Sequence, residues 1–392
     1  MRAVVAELEG NRVIPRHFIK ETSTGLRKGA LTEVSEALPA VTHVLNQARR
    51  FSKTCTRNIY VSIGTAQVKT QHSRGIVAVS HSDAEIYQDD IDRAIKASQA
   101  VSIGQNRMII HNVTCEFIVD GVSDISDPLG LSGNRIEVNS LIIDAFAPHV
   151  KLLMKLVETA GGRIGGLIFS PIAAARSVLT KSQKDLGVVL IDIGAGTTGI
   201  AIYEENKLVG TAKFPVGAAN ISNDIAIGLK IPVGIAEQLK LHFGYAIAKE
   251  VGQKESFDLK QLYPDGRGMV SRRFLADIIE SRLSEVFDFV NNEIKTLGKF
   301  GQLAGGAVLV GGGAKLPGIT DLAKQELKLS THIGAAVAED WALETGGMEE
   351  YMEDPEFATA LGLVLLAADK EGVSPSRFPR LNPRELFRFF MP

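Results

Sequence analysis

Cysteine is scarce in this sequence: Cys55 and Cys115 are the only two among 392 residues, and the eight histidines are scattered. The sequence therefore predicts neither a disulfide-rich secreted protein nor a cysteine–histidine metal site, and a reducing cytoplasm fits best. Charge of one sign is also lacking, because the formal net charge is only −2. The total charge thus gives no reason to expect nucleic acid as a partner.

Long apolar runs are lacking as well. An apolar stretch near 358–368 is too short to span a bilayer, and we expect no signal peptide before the fold. Hydrophobic residues nevertheless make up 45% of the chain and charged residues 22%, which is typical of a well-buried globular protein. A chain of this length predicts two or more domains.

The stretch 188–203, VVLIDIGAGTTGIAIY, is the most informative part of the sequence. An apolar run that ends at Asp192 predicts a buried strand, and Gly194 and Gly196 then permit a tight turn. Successive N–H groups in such a turn can bind an anion, and the hydroxyls of Thr197 and Thr198 add donors. The pattern predicts a strand–phosphate loop–strand hairpin, with an ordinary glycine-containing hairpin as the alternative.

Three later stretches favour the phosphate-loop interpretation. Glu237 and Lys240 are three residues apart in a predicted helix, 231–244, so both can face one cleft; a solvated helical pair is the alternative. The apolar run 308–310 leads into GGGAKLPG, which predicts a strand, a glycine-rich turn and a helix. The segment 356–368 is apolar with small residues, which suit close helix packing.

In this order, the four stretches resemble the nucleotide-binding elements of the actin, Hsp70 and sugar-kinase superfamily. A closer resemblance is to the FtsA family of bacterial cell-division proteins. It is carried by LIDIGAGTTGIAIY, FPVGAANISNDIA, AEQLKLHFG, SRRFLADIIESRLSEVFDFVNNEI and AVLVGGGAKLPGI, and it covers nearly the whole chain. The resemblance implies an α/β, actin-like fold: a duplicated ribonuclease-H-like unit in two domains, with an inserted α+β subdomain of the type called 1C.

The resemblance also implies a cleft that binds ATP and Mg²⁺. Asp192 would position the ion through water, and the loop would hold the phosphates. The glycine-rich turn would line the adenine side, and Glu237 and Lys240 would contact ribose and base. The residues expected to bind the nucleotide are Asp192, Gly194, Gly196, Thr197, Thr198, Gly217, Glu237, Lys240, Gly312, Gly313 and Lys315.

Three positions depart from the pattern of these relatives. The family usually has glycine where Ala218 stands and threonine where Ser222 stands, and both changes are small. Ser170 stands where Hsp70-like relatives have a carboxylate that helps hydrolysis. We therefore expect at most a weak ATPase.

The beginning of the chain lacks one part of the duplicated unit. The opening segment, MRAVVAELEGNRVIPRHFI, resembles only GIAIYEENKLVGTAKF of the second half, so the strand and phosphate loop expected before Arg2 are absent. Two explanations stay open: the gene model starts late, or the chain has no such loop. In the second case nucleotide binding is weakened.

The chain is expected to divide into segments that follow the actin-like pattern. These segments are 1–73 for the first part of domain I, 74–147 for the insert, 148–186 for the rest of domain I with the first hinge helix, 187–228 and 301–369 for the core of domain II, 229–300 for a 2B-like subdomain, and 370–392 for a linker and tail.

A long amphipathic helix, 272–297, places Arg272, Arg273 and Arg282 away from its apolar side. The resemblance implies that this helix docks the C-terminal peptide of the tubulin-like protein FtsZ, with solvated charge as the alternative. It also implies that the insert contacts other division proteins, with an insert that has no binding role as the alternative. Finally, it implies that ATP favours self-association into filaments.

The tail, LNPRELFRFFMP, has the pattern of an interfacial helix. Its apolar side would enter the lipid boundary, and its basic side would contact anionic headgroups. The alternative is an apolar tail docked on the body of the protein. The residues on these two sides are Leu386, Phe387, Phe390 and Met391, and Arg384 and Arg388.

Together with these features, the resemblance implies a peripheral protein at the cytoplasmic face of the membrane, at the division septum. It would anchor the FtsZ ring and recruit later division proteins. A PilM-like adaptor of pilus assembly shares the core and the insert but is not expected to carry the tail. An Hsp70-like ATPase would need a substrate-binding domain, and too little chain follows Ala368 to build one. A sugar kinase would need a catalytic aspartate and a set of sugar-binding residues in the first half, and the sequence shows no convincing set of this kind.

Overall fold

The computed structural model describes residues 1–263, 266, 268–343 and 347–373. Within these ranges, no helix is both long and apolar enough to cross a bilayer. The residues predicted to contact the membrane lie outside the described ranges: Arg384, Leu386, Phe387, Arg388, Phe390 and Met391.

Strands and helices are numbered in chain order. The strands are β1 (Arg2–Glu9), β2 (Arg12–Lys20), β3 (Leu26–Arg27), β4 (Ala30–Leu31), β5 (Ile59–Ile63), β6 (Val68–Ala78), β7 (Arg107–Val119), β8 (Val122–Ile125), β9 (Arg135–Phe146), β10 (Ile164–Phe169), β11 (Val188–Ile193), β12 (Thr198–Glu204), β13 (Lys207–Phe214), β14 (Ser256–Asp258), β15 (Met269–Ser271), β16 (Ala307–Val310) and β17 (Thr331–Ile333). The helices are α1 (Val34–Phe51), α2 (Gln88–Ser98), α3 (Ala147–Thr159), α4 (Ser170–Val178), α5 (Lys181–Leu186), α6 (Ala218–Leu229), α7 (Val233–Phe243), α8 (Arg272–Thr296), α9 (Ile319–Leu327), α10 (Glu349–Glu353) and α11 (Ala358–Lys370).

The second half of the chain is built on a five-stranded sheet with the order β13-β12-β11-β16-β17. β11 lies in the middle, antiparallel to β12 and parallel to β16. Val189 and Ile191 pack into a core that includes α8, while Val188 and Leu190 pack into a core shared with α4. Both faces of β11 are therefore covered, which explains its unbroken apolar sequence.

The first half repeats four of these five strands. β1 and β2 form an antiparallel pair, as β12 and β13 do, and β5 and β10 form a parallel pair, as β16 and β17 do. Among the described residues no strand joins β1 to β5 in the way that β11 joins β12 to β16. No residue of β1 is fully buried, whereas nearly all of β12 is.

The insert is a four-stranded antiparallel sheet with the order β6-β9-β7-β8, covered on one face by α2. β6 is one continuous strand paired with β9 along its whole length. Gly75 lets α2 approach closely, because a Cβ at this position would collide with the carbonyl oxygen of Ala94. The expected insert boundary at residue 74 thus falls inside a strand.

Two hinge helices connect the halves. α4 is buried along its whole length and packs directly on α11. Gly362 of α11 lies against the carbonyl of Ala173, and a side chain there would collide with it. Arg176 of α4 is also buried and donates to Asp340 at 2.8 Å and to Asp369 at 2.9 Å. The small residues that predicted close helix packing therefore serve this contact.

We predict that Gly362→Ala lowers the melting temperature, because a methyl group has no room at the α4–α11 contact and overpacking costs about 1–3 kcal/mol. The matched control is Gly234→Ala in α7, where nothing lies within 4 Å of the added Cβ. This control should be neutral or stabilise by up to about 1 kcal/mol, because alanine is the better helix former. Equal melting temperatures for Gly362→Ala and the wild type would contradict the packing described here.

Candidate functional site

The predicted phosphate loop is a four-residue turn between β11 and β12. Ile193 pairs with Thr198 at its base, and the N–H of Gly194 donates to the carbonyl of Thr197 at 2.9 Å. The hydroxyl of Thr198 is buried and donates to the carbonyl of Val216 at 2.9 Å. The hairpin is as expected, but the role of Thr198 as a phosphate donor stays a prediction, and its hydroxyl already has a partner.

The start of α6 is bonded directly to this loop. The N–H groups of Ala218 and Ala219 donate to the carbonyls of Gly194 and Ala195 at 2.9 and 2.8 Å. Gly217 must be a glycine here, because a Cβ would lie only 2.5 Å from the carbonyl oxygen of Gly194. The loop therefore has a fixed shape set by α6.

The predicted Glu237–Lys240 pair lies on one face of α7 and is turned toward α6. Lys240 is buried and donates to Glu237 at 2.7 Å, and to the carbonyl of Ala218 and the hydroxyl of Ser222 at 3.0 Å each. Ser222 in turn donates to Glu237. The pair is thus held next to the loop through Ala218, while its contact with ribose and base stays a prediction.

The predicted adenosine turn follows β16 and packs against the end of β11. Gly311 has a positive φ of 85°, and a Cβ there would lie 2.6 Å from the carbonyl oxygen of Ile193. Gly313 lies against the same residue, and Gly312 faces Glu356. The ammonium group of Lys315 donates to Asp354 at 3.0 Å, so its role beside adenine also stays a prediction.

Asp192, the last polar residue of β11, has a partner that the sequence reasoning missed. The ammonium nitrogen of Lys213, on β13, lies 3.6 Å from Asp192 Oδ2 and donates to Ser170 Oγ at 2.6 Å. In the hairpin register Lys213 faces Gly199, which leaves room for the lysine side chain. Burial lowers the pKa of Lys213, and the charge of Asp192 opposes that shift.

The ammonium group of Lys213 beside Asp192 disfavours a divalent cation at this carboxylate. Mg²⁺ prefers several oxygen ligands in octahedral geometry. Among the described residues that line the cleft cavity here, the carboxylates are Asp192, which faces Lys213, and Glu356, which pairs with Arg2 and Lys20. The Mg²⁺ role of Asp192 therefore stays a prediction.

A cavity of about 240 Å³ lies between the two halves at this point. Both halves contribute to its lining, which consists of Arg2, Ser62, Gly64, Ser170, Asp192, Lys213, Glu356, Thr359, Ala360 and Leu363. Burial alone would raise the pKa of Glu356, but hydrogen bonds from Arg2 and Lys20 outweigh it and lower that pKa to about 2. Glu356 therefore links the first two strands to the segment that precedes α11.

The predicted FtsZ-docking arginines lie on α8, apart from the cleft cavity. Arg272 donates to Glu255 at 2.6 Å and to the carbonyl of Phe243 at 3.0 Å. Arg282 donates to Asp224 of α6 at 2.6 Å and also contacts Glu285. Arg273 is half-buried. Two of the three charges are thus balanced within the chain, and their partner role stays a prediction.

Comparison with protein families gives two matches. Residues 189–362 match the model described as "Cell division protein FtsA", and residues 65–144 match "SHS2 domain inserted in FTSA". Cell division protein FtsA of Bacillus subtilis (strain 168) is 32% identical over 365 residues, which are 93% of this chain and 80% of that protein. The Neisseria meningitidis protein of the same name is 32% identical over 354 residues, 90% of this chain and 84% of the relative.

Solved structures share the fold at lower identity. The PilM–PilN type IV pilus biogenesis complex matches with a TM-score of 0.64 and 16% identity, covering 95% of this chain and 96% of that one. MreB5 of Spiroplasma citri bound to ADP matches with a TM-score of 0.52 and 13% identity over 88% of this chain and 77% of that one. At these identities the likeness establishes an actin-like fold and nothing more.

We predict that Glu356→Gln destabilises the protein at neutral pH by about 1.5 kcal/mol, because it removes charged hydrogen bonds from Arg2 and Lys20. The folded-state pKa of Glu356 is lowered from 4.5 to about 2, so its stabilisation is present above pH 4.5 and is lost as the pH falls toward 2. Urea unfolding should therefore show a difference between variant and wild type that shrinks across this range. Glu7→Gln, at an exposed ion pair with Arg16, is the control and should change little. A difference that is constant with pH would contradict this assignment.

Proposed function

The chain belongs to the FtsA family of cell division proteins, and we propose that it is an ATP-binding adaptor that links the FtsZ ring to the cytoplasmic face of the membrane at the division septum. The observation that carries the proposal is the rigid loop at 194–197, bonded to α6 beside a cavity between two actin-like halves. Successive main-chain N–H groups in such a loop can bind an anion.

ATP is the proposed ligand of this cleft. Two structures of the same fold contain nucleotide, MreB5 of Spiroplasma citri with ADP and with AMPPNP, the second with a TM-score of 0.51. The phosphates would lie against Gly196 and Thr197, and the nucleoside would reach toward Glu237 and Lys240. The hydroxyl of Ser170 accepts a hydrogen bond from Lys213 and is no general base, so hydrolysis of ATP would be slow at most.

The C-terminal peptide of FtsZ is the proposed partner of the helices near α8. Large apolar side chains are exposed on three helices that pack together: Ile227 of α6 is 76% exposed, Leu241 of α7 70% and Phe274 of α8 47%. Apolar side chains beside arginines suit a helical peptide with an apolar face and acidic groups.

The proposed membrane anchor is the amphipathic tail from 381 onward, and its support is the sequence pattern. One tail buries little apolar area, so attachment by a single copy would be weak. Filaments of the protein would present many tails and strengthen attachment by avidity.

The insert, which matches the model of a domain inserted in this family, would contact later division proteins. The likeness to PilM concerns the fold alone, so pilus assembly is the weaker candidate.

We predict that Arg273→Glu weakens binding of the FtsZ C-terminal peptide by about 1 kcal/mol, a roughly five-fold loss, and flattens its salt dependence. Arg282→Glu should act in the same direction, but it places a new acid beside Asp224 and Glu285, so its melting temperature must be checked. Arg50→Glu, at the exposed end of α1, is the matched control. Fluorescence anisotropy with a labelled peptide measures all three. Affinities unchanged for both α8 variants would rule out this surface.

We predict that Phe387→Glu with Phe390→Glu abolishes sedimentation with anionic vesicles, because each change removes roughly 1.5–3 kcal/mol of apolar burial and adds a repelled charge. FtsZ should then remain in the supernatant as well. Phe300→Glu is the matched control, since Phe300 is an exposed phenylalanine of the body. The melting temperature should stay constant in both proteins. A lower melting temperature with intact vesicle binding would instead indicate a tail docked on the body.

A further inference from the structure

Lys213 is the charged group of the cleft that the sequence pattern did not single out. Its side chain is only 4% exposed, although an isolated ammonium group is costly to bury. The ammonium nitrogen donates to Ser170 Oγ at 2.6 Å and lies 3.6 Å from Asp192 Oδ2, which is longer than a direct hydrogen bond. The carboxylate therefore balances the charge without holding the ammonium group in a close ion pair.

This ammonium group lies at the cavity and on the strand that follows the phosphate-loop hairpin. It lines the cavity between the halves, and Asp192 lies two residues before the first residue of the phosphate loop. Gly199 faces Lys213 across the hairpin, and a Cβ there would lie 3.1 Å from the ammonium nitrogen. The absence of a side chain at Gly199 thus keeps the lysine head group at the cavity.

A divalent ion at Asp192 would compete with this lysine. Two cations within a few ångströms of one carboxylate repel each other strongly in a water-poor site. The carboxylates of this cavity are Asp192 and Glu356, and Glu356 already pairs with Arg2 and Lys20. Positive charge for a phosphate group is therefore available from Lys213 without any ion.

We propose that Lys213 binds the terminal phosphates of the nucleotide and supplies in the cleft much of the positive charge that a divalent cation supplies elsewhere. This inference rests on the proposed binding of ATP. Its consequence is that the cleft keeps most of its affinity for ATP when divalent cations are removed, and that this residual affinity depends on the charge of residue 213.

Titration calorimetry with ATP, in buffer with Mg²⁺ and in buffer with EDTA, tests the proposal. The full chain should lose less than about ten-fold in affinity on removal of Mg²⁺. Lys213→Gln keeps a polar side chain near Ser170 but removes the charge. Its loss of ATP affinity relative to the wild type should be at least about ten-fold greater in EDTA than in Mg²⁺, which is the usual scale for a charged contact. Lys213→Arg should remain within a few-fold of the wild type in both buffers.

Two controls separate binding from folding. Lys207→Gln lies on the same strand at the opposite end, where Lys207 pairs with Asp124 of the insert, and it should leave ATP affinity unchanged. AMP carries no terminal phosphates, so Lys213→Gln should bind AMP as the wild type does. Melting temperatures with and without ATP provide a second readout that needs no turnover.

The proposal would be overturned if Lys213→Gln lost the same factor of ATP affinity in both buffers. It would also be overturned if the wild type bound ATP in Mg²⁺ but not in EDTA. In both cases the cleft remains a nucleotide site. Absence of ATP binding by the wild type in either buffer would overturn the nucleotide function itself and this inference with it. A Lys213→Arg variant that melts as the wild type does yet loses ATP to the same extent as Lys213→Gln would also contradict a role carried by charge.

Discussion

The contact between α4 and α11 at Gly362 is the constraint on which the cleft depends. Two helices approach this closely only where one of them has no side chain, and Gly362 provides that position against Ala173. α4 begins at Ser170, which receives the hydrogen bond of Lys213, and α11 follows Glu356, which receives that of Arg2. Because the helices are fixed against each other, these two polar contacts are held in one cavity.

Most charged groups expected to meet a ligand already have partners within the chain. Lys240 contacts Glu237, Lys315 contacts Asp354, and Arg282 contacts Asp224. A nucleotide or peptide would have to exchange these partners rather than add to them. Such an exchange contributes little net free energy, since the hydrogen bonds lost offset those gained. These three charged groups would therefore contribute more to selectivity than to affinity.

The sequence predicted the parts of the site that depend on local spacing. The loop after Asp192, the α7 face with Glu237 and Lys240, and the turn at Gly312 each follow from residues a few positions apart. The Arg2–Glu356 contact joins residues 354 positions apart, and Lys213 reaches Ser170 across 43. No periodicity encodes such distances. A hairpin register that set Lys213 opposite Gly199 was the available signal for the lysine. The expected boundary at residue 74 falls inside β6 for a related reason, because the helix that Gly75 accommodates lies further along the chain.

Charge balance in the cavity would connect the proposed nucleotide to the arrangement of the halves. Arg2 and Lys213 line it as cations, and Asp192 and Glu356 as carboxylates, so the lining is close to neutral. A polyphosphate that enters would compete with Asp192 for Lys213 and with Glu356 for Arg2. The Arg2–Glu356 contact joins β1 of the first half to the segment before α11, so a phosphate that takes Arg2 weakens this link. The same step leaves Glu356 with Lys20 and Lys315, one from each half. A ligand that binds Arg2 would therefore also change the contact between the halves through this one carboxylate.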